Sequence, residues 1–334
     1  MKYVYIDGDL PQWKGNLHMH TTRSDGDVSP EQAAEIYYKK GFHFIAITDH
    51  ERYWDSECLN REGFLVLGGL EGGIERSDCK LWEVGARRNL VFHIHALRDY
   101  SVEVAEPFVH EEAITRRYDY GLSSWQEQID VFRQKGNLTI INHPRWSRLE
   151  PYEMLALHGY FALEIWNDSA EVCCSAGESE YEWDYCLRHG KRMFAVAADD
   201  AHEYFHESDR LIGNGYTMVC APALTPTAIS TALGQGHFYA SLGPVIEDMR
   251  VEGNRLKMRF SSAQEARLVS WPWFSPAHFS QSGVATLTSA EWELTQKNKY
   301  VRPEIIGADG KKAWGPPVFM DDVFEKEREW HRYT

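Results

Sequence analysis

The chain has 334 residues, 43% of them hydrophobic, enough to bury one large core or two smaller ones. Its 35 Lys and Arg against 50 Asp and Glu leave a net charge of -15, a field that excludes general affinity for nucleic-acid backbones unless bound cations offset it locally. No run approaches the ~18 apolar residues of a membrane span. The segment MKYVYIDGDLPQWKGN lacks an apolar signal core, and the six cysteines show no CxxC pairing, so the expectation is a cytoplasmic protein with reduced thiols.

In chain order, short apolar runs bounded by turns occupy 16–20 (NLHMH), 44–50 (FIAITDH), 64–71 (FLVLGGLE), 90–97 (LVFHIHAL), 138–144 (LTIINHP), 161–167 (FALEIWN) and 193–202 (MFAVAADDAH). Their length and β-branched content suit strands buried on both faces, as in a parallel sheet. Helix signals lie between them. In 29–41 Ser29 is the cap, Pro30 takes the first turn, Gln32 sits three after the cap and Gly41 ends the helix; 124–136 and 178–190 are apolar at helical spacing and close with glycine. Strand alternating with helix predicts a βα barrel or an open α/β sheet.

Polar residues gather at the carboxyl ends of these strands: His18 and His20, Asp49 and His50, Glu71, His93 and His95, His143, Asn167, then Asp200 and His202. In both architectures that edge binds ligands. Side chains two apart on a strand share a face, so His18 and His20 can reach one ion, as can Asp200 and His202. Imidazole mixed with carboxylate suits zinc, manganese or iron better than calcium.

Four ordered segments, HMHTTRSDG (18–26), TDH (48–50), NHP (142–144) and DDAH (199–202), resemble the motifs of the PHP (polymerase and histidinol phosphatase) family of metal-dependent phosphoesterases, with GGLE (68–71) and FHIHAL (92–97) between them. The resemblance covers about residues 16 to 245. It implies a distorted (β/α)7 TIM-like barrel and two or three divalent ions (Zn, Mn or Fe). By the resemblance, His18, His20, Glu71 and Asp200 would hold one ion, and Glu71 would bridge to a second at His93 and His143. Asp25, His50 and His202 would hold a third, although family members with histidine at the Asp25 position differ from this SDG form. Glu75 competes with Glu71 as bridging carboxylate, and His95 with His93.

The implied activity is hydrolysis of a small phosphate ester by a metal-bridging hydroxide, with His50 or His202, whichever is not a ligand, protonating the leaving alcohol and Arg145 clamping phosphate. Arg23 is a second clamp candidate. Asp49 and Asp199 point to the opposite strand face and are expected to orient ligands. The alternatives are carbamate or carboxylic ester hydrolysis on the same cluster, a nucleotide-directed phosphatase or exonuclease, and a non-enzymatic binding module.

The barrel is expected over 1–244, with a strand and a helix begun by Thr225 and Pro226 in its last stretch. Short alternating runs with turns at Gly253-Asn254 and Asp309-Gly310 predict a β-sandwich over 245–325, followed by a charged tail at 326–334. Its aromatics Trp271, Trp273, Phe274 and Trp314 are expected in the inter-sheet core.

Overall fold

A computed structural model describes residues 2–76, 90–118, 121–204, 212–280 and 286–324. The predicted helix signals act as read. The Ser29 hydroxyl accepts from the Gln32 N–H while the Gln32 side chain accepts from the Ser29 N–H, and helix Pro30–Lys39 starts there. Helices Leu122–Gln134 and Glu180–Arg188 follow. Thr225 accepts from the Ala228 N–H to begin Pro226–Gln235, which Gly236 ends at φ +78.

The fold is mixed α/β with a large sheet. Strands Gln12–Asn16, Phe44–Ile47 and Leu65–Arg76 run parallel, with Gly15 opposite Phe44 and Ile47 opposite Gly68. Strands Asn137–Ile141, Ala162–Asn167 and Phe194–Ala198 form a second parallel set. Leu90–Arg98 joins the two sets and is antiparallel to both of its neighbours, which corrects the expectation of a uniformly parallel sheet. Composition could not reveal this, because burial on both faces makes an apolar run and leaves its direction open.

Among the described residues the ladder is not closed. Beyond Gln12–Asn16, which also pairs with Tyr216–Cys220, and beyond Phe194–Ala198, the chain meets itself at an isolated parallel bridge between Met19 and Ala201, where the Asp200 N–H donates to the His18 carbonyl and the His20 N–H to that of Ala201. No helix among the described residues is long and apolar enough to cross a membrane.

The C-terminal strands are antiparallel, as the turn signals predicted, with Gly253 and Gly310 at positive φ in the hairpin turns. They are woven into the rest of the chain. Lys2–Ile6 pairs with Ile246–Glu252 in a four-stranded sheet, and Lys312–Trp314 extends the large sheet from Phe238–Ser241. Trp314 is buried, but Trp271, Trp273 and Phe274 are exposed, Phe274 at 99%. Core packing of those three is therefore corrected: Trp271 ends its strand and the other two follow it in an irregular segment. The tail at 326–334 lies outside the described residues.

Candidate metal centre

Strand register brings the polar residues to one level. Because Leu65–Arg76 pairs in parallel with Phe44–Ile47 and is longer, it overshoots, and Glu71 comes level with His50 at an isolated bridge. Glu71 is therefore a mid-strand residue and not a strand end. Across the antiparallel step Glu71 faces His95 and Gly73 faces His93, and the next strand begins its exit where the Asn142 N–H donates to the His93 carbonyl. His143 follows at φ +25, and Asp200 stands at φ +55. Left-handed backbone at non-glycine residues is a cost that folds accept where a side chain must point to a function.

The side chains converge. His18 Nε2 lies 3.2 Å from Glu71 Oε1 and 3.1 Å from Asp200 Oδ1, while His20 Nε2 lies 3.3 Å from Glu71 Oε2 and 3.1 Å from the same Asp200 oxygen. The two imidazole Nε2 atoms are 3.2 Å apart. The same two Glu71 oxygens are approached by three more rings: His93 Nδ1 is 3.0 Å and His143 Nε2 3.3 Å from Oε1, and His50 Nδ1 is 3.1 Å from Oε2. Asp25 stands farther out, 3.5–3.6 Å from ring nitrogens of His20, His50 and His202, with its side chain 54% exposed.

Donor chemistry and spacing fit divalent ions. Ligands each ~2.0–2.1 Å from one ion at a tetrahedral angle stand roughly 3.3 Å apart, matching these edges. Despite the proximity, Glu71 Oε2, Asp200 Oδ1 and His50 Nδ1 are buried without a hydrogen-bond partner. Lone pairs that crowd together without pointing at a proton point at a shared site, and a buried orphan acceptor otherwise costs about 1–3 kcal/mol.

The charges of the cluster act strongly on one another. Burial disfavours charge on Glu71, but His93, His18 and His50 outweigh it and hold the carboxyl well below its usual range. Asp200 behaves likewise: burial opposes its charge, and His18, His20 and His143 prevail. Burial pushes His20 down, yet Asp200 and Glu71 raise it to about 9. His50 goes the other way, pressed down to about 3 by burial and by His20 and His93 despite Glu71.

A shell of hydrogen bonds orients this cluster. Asp49 accepts from the Thr21 N–H, the Thr21 hydroxyl and the Ser24 hydroxyl, each at 2.7 Å, and so pins the loop that carries Asp25. Asp199 accepts from Tyr37 and from the Gly213 N–H, and its carboxyl is raised well above the usual range by burial and by Asp168. Asn167 caps helix Asp168–Cys174 through the Ala170 N–H and reaches Asp200 at 3.2 Å.

Of the competing candidates, Glu75 is turned away to an arginine and His95 borders the cluster. Glu75 is ion-paired with Arg116, which also grips Glu51. His95 is fully buried with both ring nitrogens unpartnered, its ring edge-on to His18 at 4.1 Å between centroids. Arg23 binds Glu111 and lies over the Trp54 ring. Arg145 is exposed, donates to the Glu178 carbonyl and has no carboxylate partner among the described residues.

Three contributors were not anticipated. Asn142 donates to Glu71 at 2.5 Å, and Trp146 stands edge-on to His143 with centroids 4.8 Å apart. Glu164 lies 2.7 Å from His18 Nδ1. Its signal was a lone acid inside the apolar run Ala162-Leu163-Glu164-Ile165, a position that charged residues rarely occupy without a partner.

No protein-family model matches the chain. The DNA polymerase/3'-5' exonuclease PolX of Bacillus subtilis is 53% identical over 45 residues, which span 14% of this chain and 8% of that protein. A two-domain protein from Bacteroides vulgatus containing a predicted PHP-like metal-dependent phosphoesterase is similar at a TM-score of 0.47, with 15% identity over 94% of this chain and 96% of that one. A metal-dependent phosphoesterase from Bifidobacterium adolescentis has a TM-score of 0.36, 15% identity, and coverage of 58% of this chain and 89% of its own. An amidohydrolase from Chromobacterium violaceum with bound sulfate has a TM-score of 0.38 and 14% identity over 67% and 96% of the two chains.

Proposed function

We propose that this chain is a PHP-type, metal-dependent hydrolase that cleaves a small phosphate ester. The carrying observation is the convergence of His18, His20, Glu71 and Asp200, and of Glu71, His93 and His143, at coordination-edge distances with acceptor atoms left unbonded. These two sets would each hold an ion, Glu71 serving both, and His50, Asp25 and His202 would hold a third at the solvent side. Bound there, divalent zinc, manganese or iron would acidify a water and offset charge on the phosphate.

The chain's own groups do the rest. Arg145, exposed two residues after His143 and in no ion pair among the described residues, is suited to bidentate hold on phosphate oxygens. Trp146, at 38% exposure, offers an apolar wall to the leaving group. His202, with its side chain 32% exposed, is the cluster imidazole most open to solvent and, where it does not hold an ion, is placed to pass a proton to the departing alcohol. The seven strands on the continuous sheet path from Gln12–Asn16 to Phe194–Ala198 are taken as a barrel whose seam is the Met19–Ala201 bridge. A cytoplasmic setting agrees with Cys58, Cys173, Cys174, Cys186 and Cys220 all being free thiols.

The test is release of p-nitrophenol from p-nitrophenyl phosphate, bis-p-nitrophenyl phosphate and p-nitrophenyl acetate by protein loaded with manganese or zinc. Metal-dependent phosphate ester cleavage is expected, reduced by roughly 1,000-fold or more in Glu71→Gln and in the His18→Ala, His20→Ala pair. Cleavage of the acetate alone would replace the proposal with a carbonyl-ester hydrolase. Unchanged activity in the variants would place the chemistry elsewhere.

A further inference from the structure

Glu164 is fully buried and accepts at both oxygens. Oε1 is 2.7 Å from His18 Nδ1; Oε2 accepts from the His143 N–H at 2.8 Å and from Asn167 Nδ2 at 3.0 Å. Asn167 in turn reaches Asp200, so one carboxylate ties together the backbone or side chains of three segments that build the centre. We infer that Glu164 is a positioning residue: it holds the Nδ1 proton of His18 and thereby keeps the Nε2 lone pair aimed at the site shared with His20, Glu71 and Asp200.

Spacing decides between this role and a further ion among His18, His95 and Glu164, whose ligand atoms also cluster. Two ligands of one ion stand roughly 3.3 Å apart. The 2.7 Å between Glu164 and His18 is hydrogen-bond length and leaves no place for a cation between them. The distances of 3.1–3.2 Å at the other nitrogen of the same ring are coordination edges. The ring therefore uses its two nitrogens differently, and the negative charge behind Nδ1 makes Nε2 a better donor. The same carboxylate supports the strained backbone of His143 by accepting its N–H, which links both ion sites to a single residue.

This inference rests on the metal-centre proposal, and cobalt(II) titration followed by visible absorption separates the two. Wild-type protein is expected to bind at least two cobalt ions. Glu164→Gln is expected to bind the ion at His18 roughly 10–100-fold more weakly, with a shifted cobalt spectrum, and Glu164→Asp to recover part of the loss. In a His18→Gln background, adding Glu164→Gln is expected to weaken cobalt binding by far less than it does in the wild type, because the route through His18 is gone and only the support of the His143 backbone is left to lose. Wild-type affinity in Glu164→Gln, or a full additional loss in the His18→Gln background, overturns the positioning role. Failure of both Glu164 variants to fold while His18→Gln folds also overturns it, in favour of a structural role. Fewer than two ions on the wild-type protein overturns the metal centre itself.

Discussion

The loop after His20 shows how single residues set the centre. Asp49 holds Thr21 and Ser24, and Gly26 lets the loop close: a Cβ there would stand 2.4 Å from the His20 carbonyl oxygen. Gly26→Ala must push the loop outward and carry Asp25 with it. It is expected to cost about 2 kcal/mol and to weaken the outermost ion site selectively, read as loss of one bound metal with the others retained. His43 gives a pH signature away from the cluster. Its Nδ1 accepts the Lys14 N–H at 3.0 Å, and burial, helped by the Lys14 ammonium, lowers its pKa. A lowered folded pKa means stability that is complete above about 6.5 and is lost as pH falls through the folded value. The residue is partly exposed, so solvent limits the effect to roughly a few tenths of a kcal/mol per pH unit. Urea unfolding at about pH 7.5 and 5.5 is expected to show a smaller drop for His43→Gln than for the wild type.

At the scale of elements, the long hairpin Leu65–Arg76 with Leu90–Arg98 does what a parallel strand pair could not. Both strands continue past the level of His50, so Glu71 and His93 enter the centre from mid-strand, where ladder hydrogen bonds on both sides fix them. Motif positions were legible in sequence because His and Asp at strand ends interrupt apolar runs. The hairpin was not, since strand direction depends on which neighbour a strand meets. Helix Glu180–Arg188 is held differently. Arg302, 1% exposed, binds Asp184 through Nε and Nη2 at 2.7 and 2.8 Å and also meets Glu304, which joins this helix to strand Tyr300–Ile306. Asp184→Ala removes one partner of a buried charge and is expected to cost about 3 kcal/mol, measured by chemical denaturation, with the free-thiol content unchanged.

For the molecule as a whole, the C-terminal strands are not a detachable appendage. Lys2–Ile6 lies in their sheet, and the Ala240–Trp314 and Ser241–Ala313 pairs carry the large sheet into them. Truncation at residue 244 would strip partners from both Lys2–Ile6 and Phe238–Ser241 and expose Tyr5, Ile6 and Tyr239. The expected product is aggregated or unfolded protein with no cobalt binding; a folded, metal-loaded 1–244 fragment would show the opposite.

The chain's local pattern determined which residues could be strands, which helices would start at Ser29 and Thr225, and which histidines and acids gather at strand ends, because burial periodicity and capping are properties of neighbours in sequence. Tertiary structure alone decided the antiparallel step, the exposure of Trp271, Trp273 and Phe274, the pairing of the first strand with Ile246–Glu252, and the place of Glu164 behind His18. Those outcomes depend on distant contacts, 146 positions for His18 with Glu164 and 250 for Lys2 opposite Glu252, and no local period encodes which distant partner will satisfy a buried carboxylate or a bare strand edge.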